Sequence, residues 1–187
     1  MEAYYSQMMN VTYKDTIPFV PPITKGKVVR VYDGDTINIA SKLPWGDSPL
    51  YRFSVRVAGI DCPELKTRND NEKLCAKMAR DLVSKYALNK IVFLENVRLE
   101  KYGRILADVR VDGVLLKTYL LDTNLAVEYH GKTRNVPNDW LAFYNEKKLG
   151  QNVIIKQEAL GFGQADIPGE LVEVEPPIKN NETVVLA

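Results

Sequence analysis

The chain has 187 residues, enough for one domain with a hydrophobic core and some additional tail. Its single histidine, His130, and its two cysteines, Cys62 and Cys75, which form no CxxC motif, argue against zinc fingers, His-based catalytic triads and most transition-metal sites. The net charge of +1 combines a mildly basic body with an acidic C-terminal tail, which is compatible with a polyanionic substrate but identifies none. Oxygen-ligated metals remain as the expected metal chemistry.

The N-terminal sequence lacks a basic start followed by an apolar core, so it does not resemble a secretory signal. No apolar run approaches the ~18 residues of a membrane span. We therefore expect a soluble, intracellular (cytoplasmic) protein with free thiols and no membrane contact, acting as a monomer.

Three strands are predicted in the first third of the chain. Residues 1–23 are polar and end in a proline-rich segment, which indicates an extended arm or linker. Residues 25–40 alternate between apolar and polar positions around Asp33-Gly34, the pattern of a β-hairpin. A loop follows, and a third strand is predicted over 50–60.

The third strand leads into Arg56-Val-Ala-Gly-Ile-Asp-Cys-Pro-Glu64. We expect the strand to run directly into a tight turn, because Pro63 has no amide hydrogen and restricts the residue before it. An arginine and two acids at a strand end are poorly suited to core packing and well suited to phosphate chemistry. This stretch is therefore the first candidate for a functional site.

A helix is predicted next, because the apolar residues Leu74, Met78, Leu82 and Val83 recur at helical spacing, with Cys75 beside them as a small core residue. This helix is predicted over 71–86. The remaining predicted elements are strands over 90–97 and 105–111, turns at 101–104 and 112–113, and helices over 114–121 and 139–149.

The predicted order is three strands, a helix, two strands and two helices. Five short strands turned by Asp-Gly dipeptides, with a helix inserted after strand three, fit the α+β class with an OB-type five-stranded barrel and about three helices. We expect a central domain over 24–160, preceded by the arm over 1–23. From residue 161 to 187 glycine, proline and acids dominate, which predicts a flexible acidic tail.

Three segments carry residues suited to phosphodiester cleavage: Asp35 after the first turn, the stretch with Arg56, Asp61 and Glu64, and Arg104 in the 101–104 turn. Cleavage needs a deprotonated water, neutralised phosphate oxygens and a protonated leaving oxygen. A hard metal, a carboxylate and two guanidiniums could supply these functions. Sequence spacing alone does not establish that the three segments meet.

The motifs Asp33-Gly-Asp-Thr36, Arg56-(x)4-Asp61-x-Pro-Glu64 and Lys101-Tyr-Gly-Arg104 occur in this order within residues 25–149. Together they resemble the staphylococcal nuclease (thermonuclease) family. The resemblance implies an SNase-like OB-fold nuclease domain that requires Ca2+. It further implies hydrolysis of DNA and/or RNA at the 5′-oxygen, leaving 3′-phosphate ends.

The resemblance also implies the roles of the charged residues. Asp35 and Asp61 would bind calcium with the backbone carbonyl of Cys62, which stands where the family commonly has threonine. Glu64 would orient or deprotonate the attacking water. Two arginines would bind the phosphate, and the second would also assist the leaving 5′-oxygen; they are Arg56 and Arg104.

Substrate contacts are implied less directly. Lys101 and Tyr102 match positions that line the terminal-phosphate and base region of the bound nucleotide. The sequence after Ala126 departs from the family pattern, and Tyr129 is a candidate stacking residue whose alternative role is simple packing. Two further functions stay open: a non-catalytic nucleic-acid-binding or scaffold module with the same fold, and a peptide-binding adaptor that uses the proline-rich ends.

Overall fold

The computed structural model of the protein describes residues 2–131 and 135–159, so the predicted tail over 161–187 lies outside the described residues. The chain divides into two compact units, Met1–Gly150 and Gln151–Ala187, and of the second only the helical backbone of residues 151–159 is described. The elements are α1 (Glu2–Met9), a 3-10 turn (Tyr13–Asp15), β1 (Lys25–Val31), β2 (Thr36–Ser41), β3 (Tyr51–Val57), β4 (Ile60–Asp61), α2 (Asp70–Ala87), β5 (Ile91–Leu99), β6 (Ile105–Val111), β7 (Val114–Leu115), α3 (Leu116–Leu121), β8 (Val127–Glu128) and α4 (Trp140–Ala159).

The five longer strands form a closed barrel in the order β3-β2-β1-β5-β6, and a parallel β3–β6 pairing closes it. Residues alternate along these strands: Ile37 and Ile39 of β2 and Val55 and Val57 of β3 are buried inside. This alternation is the expected pattern for a barrel whose interior is filled by side chains. The predicted OB-type α+β class, with α2 inserted after the third barrel strand, is confirmed.

Strand register brings three distant segments to one end of the barrel. Thr36 pairs with Arg56 across β2 and β3, and Val55 pairs with Ile105 across β3 and β6. Asp35 therefore lies next to Arg56, and Arg104 enters from the turn that precedes β6. The backbone N–H of Val57 also donates to the carbonyl of Asp35 at 2.7 Å, which ties the first turn to β3.

Helix α2 packs against the barrel through small residues, including Cys75, Ala79 and Val83, all fully buried. The predicted core position of Cys75 is confirmed, but Leu74, which the spacing predicts in the apolar stripe, is exposed. The residues of α2 that face the barrel thus lie one position further along the chain than predicted. Their short side chains let the helix approach the sheet closely. The helix begins at Asp70, where the side chain of Asn69 accepts the N–H of Glu72.

Three local predictions need correction. The segment over 50–60 is not one strand: β3 ends at Val57, and a turn with Gly59 at φ 83° separates it from the short β4. The arm over 1–23 is not extended throughout, since it begins with the helix α1. The predicted helix over 114–121 starts with the two strand residues of β7.

The last helix extends further than predicted, to Ala159, and its start is confirmed. The carboxylate of Asp139 accepts the backbone N–H groups of Leu141 and Ala142 at 2.8 and 3.2 Å, which makes Asp139 the N-terminal cap. Within the described part of the chain, no helix combines the length and apolarity that crossing a membrane requires.

Candidate functional site

A cavity of about 260 Å³ opens at the end of the barrel where the three segments meet. We call it the acidic cavity. Seven residues of the three motif segments line it together with Tyr32; the full lining is Tyr32, Asp33, Asp35, Arg56, Cys62, Pro63, Glu64 and Arg104. The structure thus brings together Asp35, Arg56, Cys62, Glu64 and Arg104, as the sequence analysis expected. Asp61 is buried and does not line this cavity.

Arg56 connects the two buried carboxylates of the site. Its Nη1 lies 2.6 Å from Oδ2 of Asp35, and its Nη2 lies 3.0 Å from Oδ1 of Asp61. Burial acts to lower the pKa of the Arg56 guanidinium, but Asp35, Asp61 and Glu100 more than offset burial, so its pKa is raised above the ordinary value. Arg56 is therefore a permanent positive charge held in a defined orientation.

Arg104 is held by a carboxylate that the sequence analysis did not single out. Its Nε and Nη2 lie 2.7 and 2.6 Å from Oε1 of Glu100, and its Nη1 donates to the hydroxyl of Thr36 at 3.3 Å. Glu100 also lies 3.9 Å from Nε of Arg56 through its other oxygen. One carboxylate therefore positions both arginines. The only sequence signal was an acidic residue directly before the Lys101-Tyr-Gly-Arg104 motif.

Asp35 is buried at the bottom of the first turn, and its carboxylate accepts the hydroxyl of Thr36 at 2.9 Å. Burial raises the pKa of Asp35 to about 7; Arg56 acts in the opposite direction, and the neighbouring Asp33 adds to the rise. A carboxyl with this pKa exchanges a proton near neutral pH. Binding a cation would compete with that proton.

The first turn is packed tightly against the stretch after β4 and against α2. A Cβ atom added at Gly34 would lie 2.8 Å from Sγ of Cys62 and 2.9 Å from Cβ of Ala79, so only glycine fits. The Cys62 side chain therefore serves packing, and burial together with the nearby carboxylates raises the pKa of its thiol well above the usual value. This contact fixes the turn with Asp35 relative to the segment with Glu64.

Glu64 is exposed at the rim of the acidic cavity. Its backbone N–H donates to Oε1 of Glu72 at 3.1 Å, and Oε2 of Glu72 accepts the hydroxyl of Thr67 at 2.6 Å. A residue in the first turn of α2 therefore orders the loop that carries Glu64. Sequence reasoning missed Glu72, because a helix-start glutamate ordinarily indicates only favourable helix-dipole electrostatics.

A second, larger cavity of about 550 Å³ is also lined by Arg56. We call it the tyrosine cavity, and its lining includes Tyr129, His130, Lys101, Glu100 and Arg98 as well as Arg56. Tyr129 is placed there by β8, which pairs with β4, and by its N–H, which donates to the carbonyl of Gly59 at 3.0 Å. Of the expected substrate contacts, Lys101 and Tyr129 line this cavity.

Tyr102 lines neither cavity and is 73% exposed. The ammonium of Lys101 lies 4.8 Å from the centre of its ring, a cation–π distance. The Lys101-Tyr-Gly-Arg104 turn thus divides its residues: Arg104 faces the acidic cavity, Lys101 faces the tyrosine cavity, and Tyr102 faces solvent.

The predicted metal ligands Asp35 and Asp61 lie close together around Arg56. Within residues 2–131 and 135–159, no group of three or more His, Cys, Asp or Glu side chains is arranged to hold a metal ion. Asp35 and Asp61 nevertheless contact the same guanidinium from two sides, so two buried carboxylates already surround one positive charge. Carboxylate oxygens of this kind, with a carbonyl, fit a hard cation that completes its shell with water and substrate.

The sequence is similar to a known protein family and to a named member of it. The sequence model of the family described as staphylococcal nuclease homologue matches residues 54–149 of this chain. That range includes Arg56, Asp61, Glu64 and Arg104, whereas Asp35 precedes it.

A protein named thermonuclease from Staphylococcus hyicus is 33% identical over 102 residues. The alignment covers 54% of this chain and 56% of that protein, so the chain spans little more than half the length of the curated relative it matches.

Proposed function

The chain belongs to the staphylococcal nuclease family, and on that premise we propose that it is a calcium-dependent endonuclease that hydrolyses DNA and/or RNA at the 5′-oxygen and leaves 3′-phosphate ends. The observation that carries the proposal is the acidic cavity, in which two arginines, a buried carboxylate and Glu64 line one space. A nucleic-acid-binding scaffold would have no need for this combination. A phosphodiesterase would use every member.

The arginines would bind the scissile phosphate. Both line the acidic cavity, and their planar forks suit phosphate oxygens, which they can bind through paired hydrogen bonds. Glu100 contacts Nε of both guanidiniums and thereby holds them in orientation before substrate arrives. Positioned charges of this kind lower the barrier because they need no reorganisation as negative charge develops on the phosphate. Arg104 is the donor that we assign to the leaving 5′-oxygen.

Glu64 would orient the attacking water or accept its proton. It lies at the cavity rim, where water has access, and its loop is ordered by the contacts of Glu72. A general base must lie within hydrogen-bond reach of the water that it activates, and the fixed backbone of Glu64 supports this requirement.

Asp35, Asp61 and the carbonyl of Cys62 would hold calcium. When bound, the cation would supply positive charge to the phosphate and acidity to a coordinated water. With few protein ligands, calcium affinity is expected to be weak in the free protein and to increase when phosphate is bound. The carboxylates that now neutralise Arg56 would be shared with the cation, which leaves more of the guanidinium available to substrate.

We place the nuclease domain at residues 24–160, with DNA or RNA as the partner of a monomer and with the arm and the acidic tail dispensable for chemistry. The barrel, α2 and both cavities lie within this range.

Calcium titration of cleavage, with DNA and RNA substrates side by side, tests the proposal. We expect activity that rises with calcium into the millimolar range, disappears with a calcium chelator, and yields 3′-phosphate ends. Binding without cleavage at any calcium concentration would favour the scaffold function instead. Cleavage that proceeds unchanged in the chelator would refute the assigned role of Asp35 and Asp61.

A further inference from the structure

Tyr32 is an exposed aromatic residue at the edge of the acidic cavity. It directly precedes the first motif, lines the cavity together with Arg104 and Glu64, and is 43% exposed. Neither the phosphate chemistry nor calcium binding uses it. A large aromatic side chain left open beside a phosphate-binding cavity is suited to stack on a nucleobase, because every base presents a flat π-face.

The position of Tyr32 is tied to the reactive end of the site. Its backbone N–H donates to the carbonyl of Thr36 at 2.9 Å, closing the hairpin between β1 and β2. The hydroxyl of Thr36 in turn accepts from Nη1 of Arg104. Tyr32 therefore stands at a fixed place relative to an arginine assigned to the phosphate, on a hairpin rather than on a free loop. Contacts built on such elements are well preorganised.

Arg30 adds a positive charge to the same place. Its guanidinium carbon lies 5.6 Å from the centre of the Tyr32 ring, above the ring face, which is a cation–π arrangement. Both side chains come from the β1 end of the hairpin and are solvent-exposed. An aromatic surface with an adjacent cation matches a nucleotide, which offers a base to stack and a phosphate to neutralise.

The lining of the two cavities indicates which nucleotide of the substrate lies beside Tyr32. Arg56 lines both cavities, whereas Tyr32 lines only the acidic cavity, so a phosphate bound at Arg56 has the tyrosine cavity and Tyr32 as two separate neighbours. This placement rests on the proposed nuclease function. In it, the nucleotide that is joined through the leaving 5′-oxygen occupies the tyrosine cavity. We propose that Tyr32, supported by Arg30, stacks on the base of the nucleotide on the 5′ side of the cleaved bond, which retains the phosphate.

The test uses short single-stranded DNA with one cleavable linkage and phosphorothioates elsewhere. One substrate carries all bases, and a second lacks the base on the 5′ side of the cleavable bond. The proteins are the wild type, Tyr32→Leu, Tyr32→Phe and the control Tyr51→Leu. Tyr51 has almost the same exposure, 44%, but lies at the other end of β3 and lines neither cavity. Thermal melting verifies that all four are folded.

On the complete substrate, Tyr32→Leu is expected to raise KM roughly tenfold with kcat little changed, whereas Tyr32→Phe and Tyr51→Leu match the wild type. On the substrate without the base, wild type and Tyr32→Leu should coincide. The inference is overturned if Tyr32→Leu behaves as Tyr51→Leu does, or if its defect is the same on both substrates, which would indicate a structural role.

Fluorescence anisotropy with fully phosphorothioate versions of both oligonucleotides measures the same contact without hydrolysis. Tyr32→Leu should weaken binding of the complete oligonucleotide by a similar factor and leave binding of the abasic one unchanged. If the wild type binds with this pattern but cleaves neither substrate, the nuclease proposal fails while the stacking contact stands. If it cleaves but shows no dependence on Tyr32, the stacking contact fails alone.

Discussion

The acidic cavity and the tyrosine cavity share Arg56 as a wall but are built in different ways. In the acidic cavity the charged groups come from the barrel end, and a continuous set of short contacts joins Asp35, Arg56 and Asp61. In the tyrosine cavity, Lys101 comes from a turn and His130 from the segment after β8, and both are exposed. The difference teaches that charged groups are joined by short contacts where bonds would be broken and are exposed to solvent where a nucleotide would be recognised.

The largest expected effects therefore come from the arginines of the acidic cavity. Arg104→Lys and Arg56→Lys should each lower the cleavage rate by roughly 10²-fold or more, because lysine cannot reproduce a planar fork oriented by Glu100. Single-turnover kinetics at saturating calcium measures this loss.

Arg110→Lys is the matched control for Arg104→Lys. Arg110 also binds a glutamate through two nitrogens, 3.1 and 3.2 Å from the oxygens of Glu95, and its side chain is similarly exposed, at 35% against 32% for Arg104. It lines neither cavity. Equal rates for the Arg104→Lys and Arg110→Lys variants would show that Arg104 does not contact the reacting phosphate.

The next effect tests whether packing holds the acidic cavity in shape. Gly34→Ala places a methyl group against Cys62 and Ala79 and should reduce the free energy of unfolding by about 1–3 kcal/mol. Urea denaturation measures the change. Gly150→Ala is the control, since among the described residues no atom outside its own stretch of helix lies within 4 Å of the added Cβ, and alanine favours a helix.

The double variant Gly34→Ala with Cys62→Ala sharpens this result. Removing the Cys62 sulfur vacates the closest contact of the added methyl group, so the two changes should be less destabilising together than their sum. Strict additivity would mean that the turn and Cys62 are not in the contact described.

Calcium binding should depend on pH through Asp35. Burial raises its pKa to about 7 against the opposing effect of Arg56, so below that pH the protonated form prevails. Because calcium needs the carboxylate, the half-saturating calcium concentration should rise by up to about tenfold for each pH unit below 7 and level off above it. Isothermal titration calorimetry at several pH values measures it. Asp35→Asn should abolish the dependence along with most binding, and a flat profile in the wild type would contradict the assignment.

The smallest effects are expected in and beside the tyrosine cavity, and they separate Tyr129, which lines it, from Tyr102, which does not. Tyr129→Leu should raise KM by roughly fivefold or more if a base stacks there, because Tyr129 lines the cavity. Tyr102→Leu should change KM by less than about threefold, as is usual for an exposed surface residue. Steady-state kinetics on one DNA substrate decides the order, and a larger effect at Tyr102 would mean that the 101–104 turn moves when substrate binds.

The barrel and α2 could be predicted because their signals are local. Alternation along β1, β2 and β6 and the helical spacing before Tyr86 identify the elements directly. That Asp35, Arg56 and Arg104 meet could not be derived from spacing, since it depends on pairing between residues far apart in the chain. The resemblance supplied that expectation, and the register of β2, β3 and β6 explains it.

The sequence does not indicate residues whose role is to hold another functional group in place. Glu100 and Glu72 are ordinary acids in the sequence, and their importance lies in which groups they contact, Arg104 in one case and the loop of Glu64 in the other. The break between β3 and β4 had a local signal in Ala58-Gly59, since glycine readily adopts the positive φ observed there. The helix α1 is not predicted, because the prolines that follow it favour an extended arm.

The central claim is that the acidic cavity is a hydrolytic site in which Glu64 activates water. The most direct test compares wild type and Glu64→Gln on a labelled oligonucleotide in calcium, with product ends identified by mass spectrometry. We predict 3′-phosphate and 5′-hydroxyl ends from the wild type and a rate lower by roughly 10²-fold or more for Glu64→Gln, with folding unchanged. Cleavage at the same rate by both proteins, or products with 5′-phosphate ends, would contradict the account.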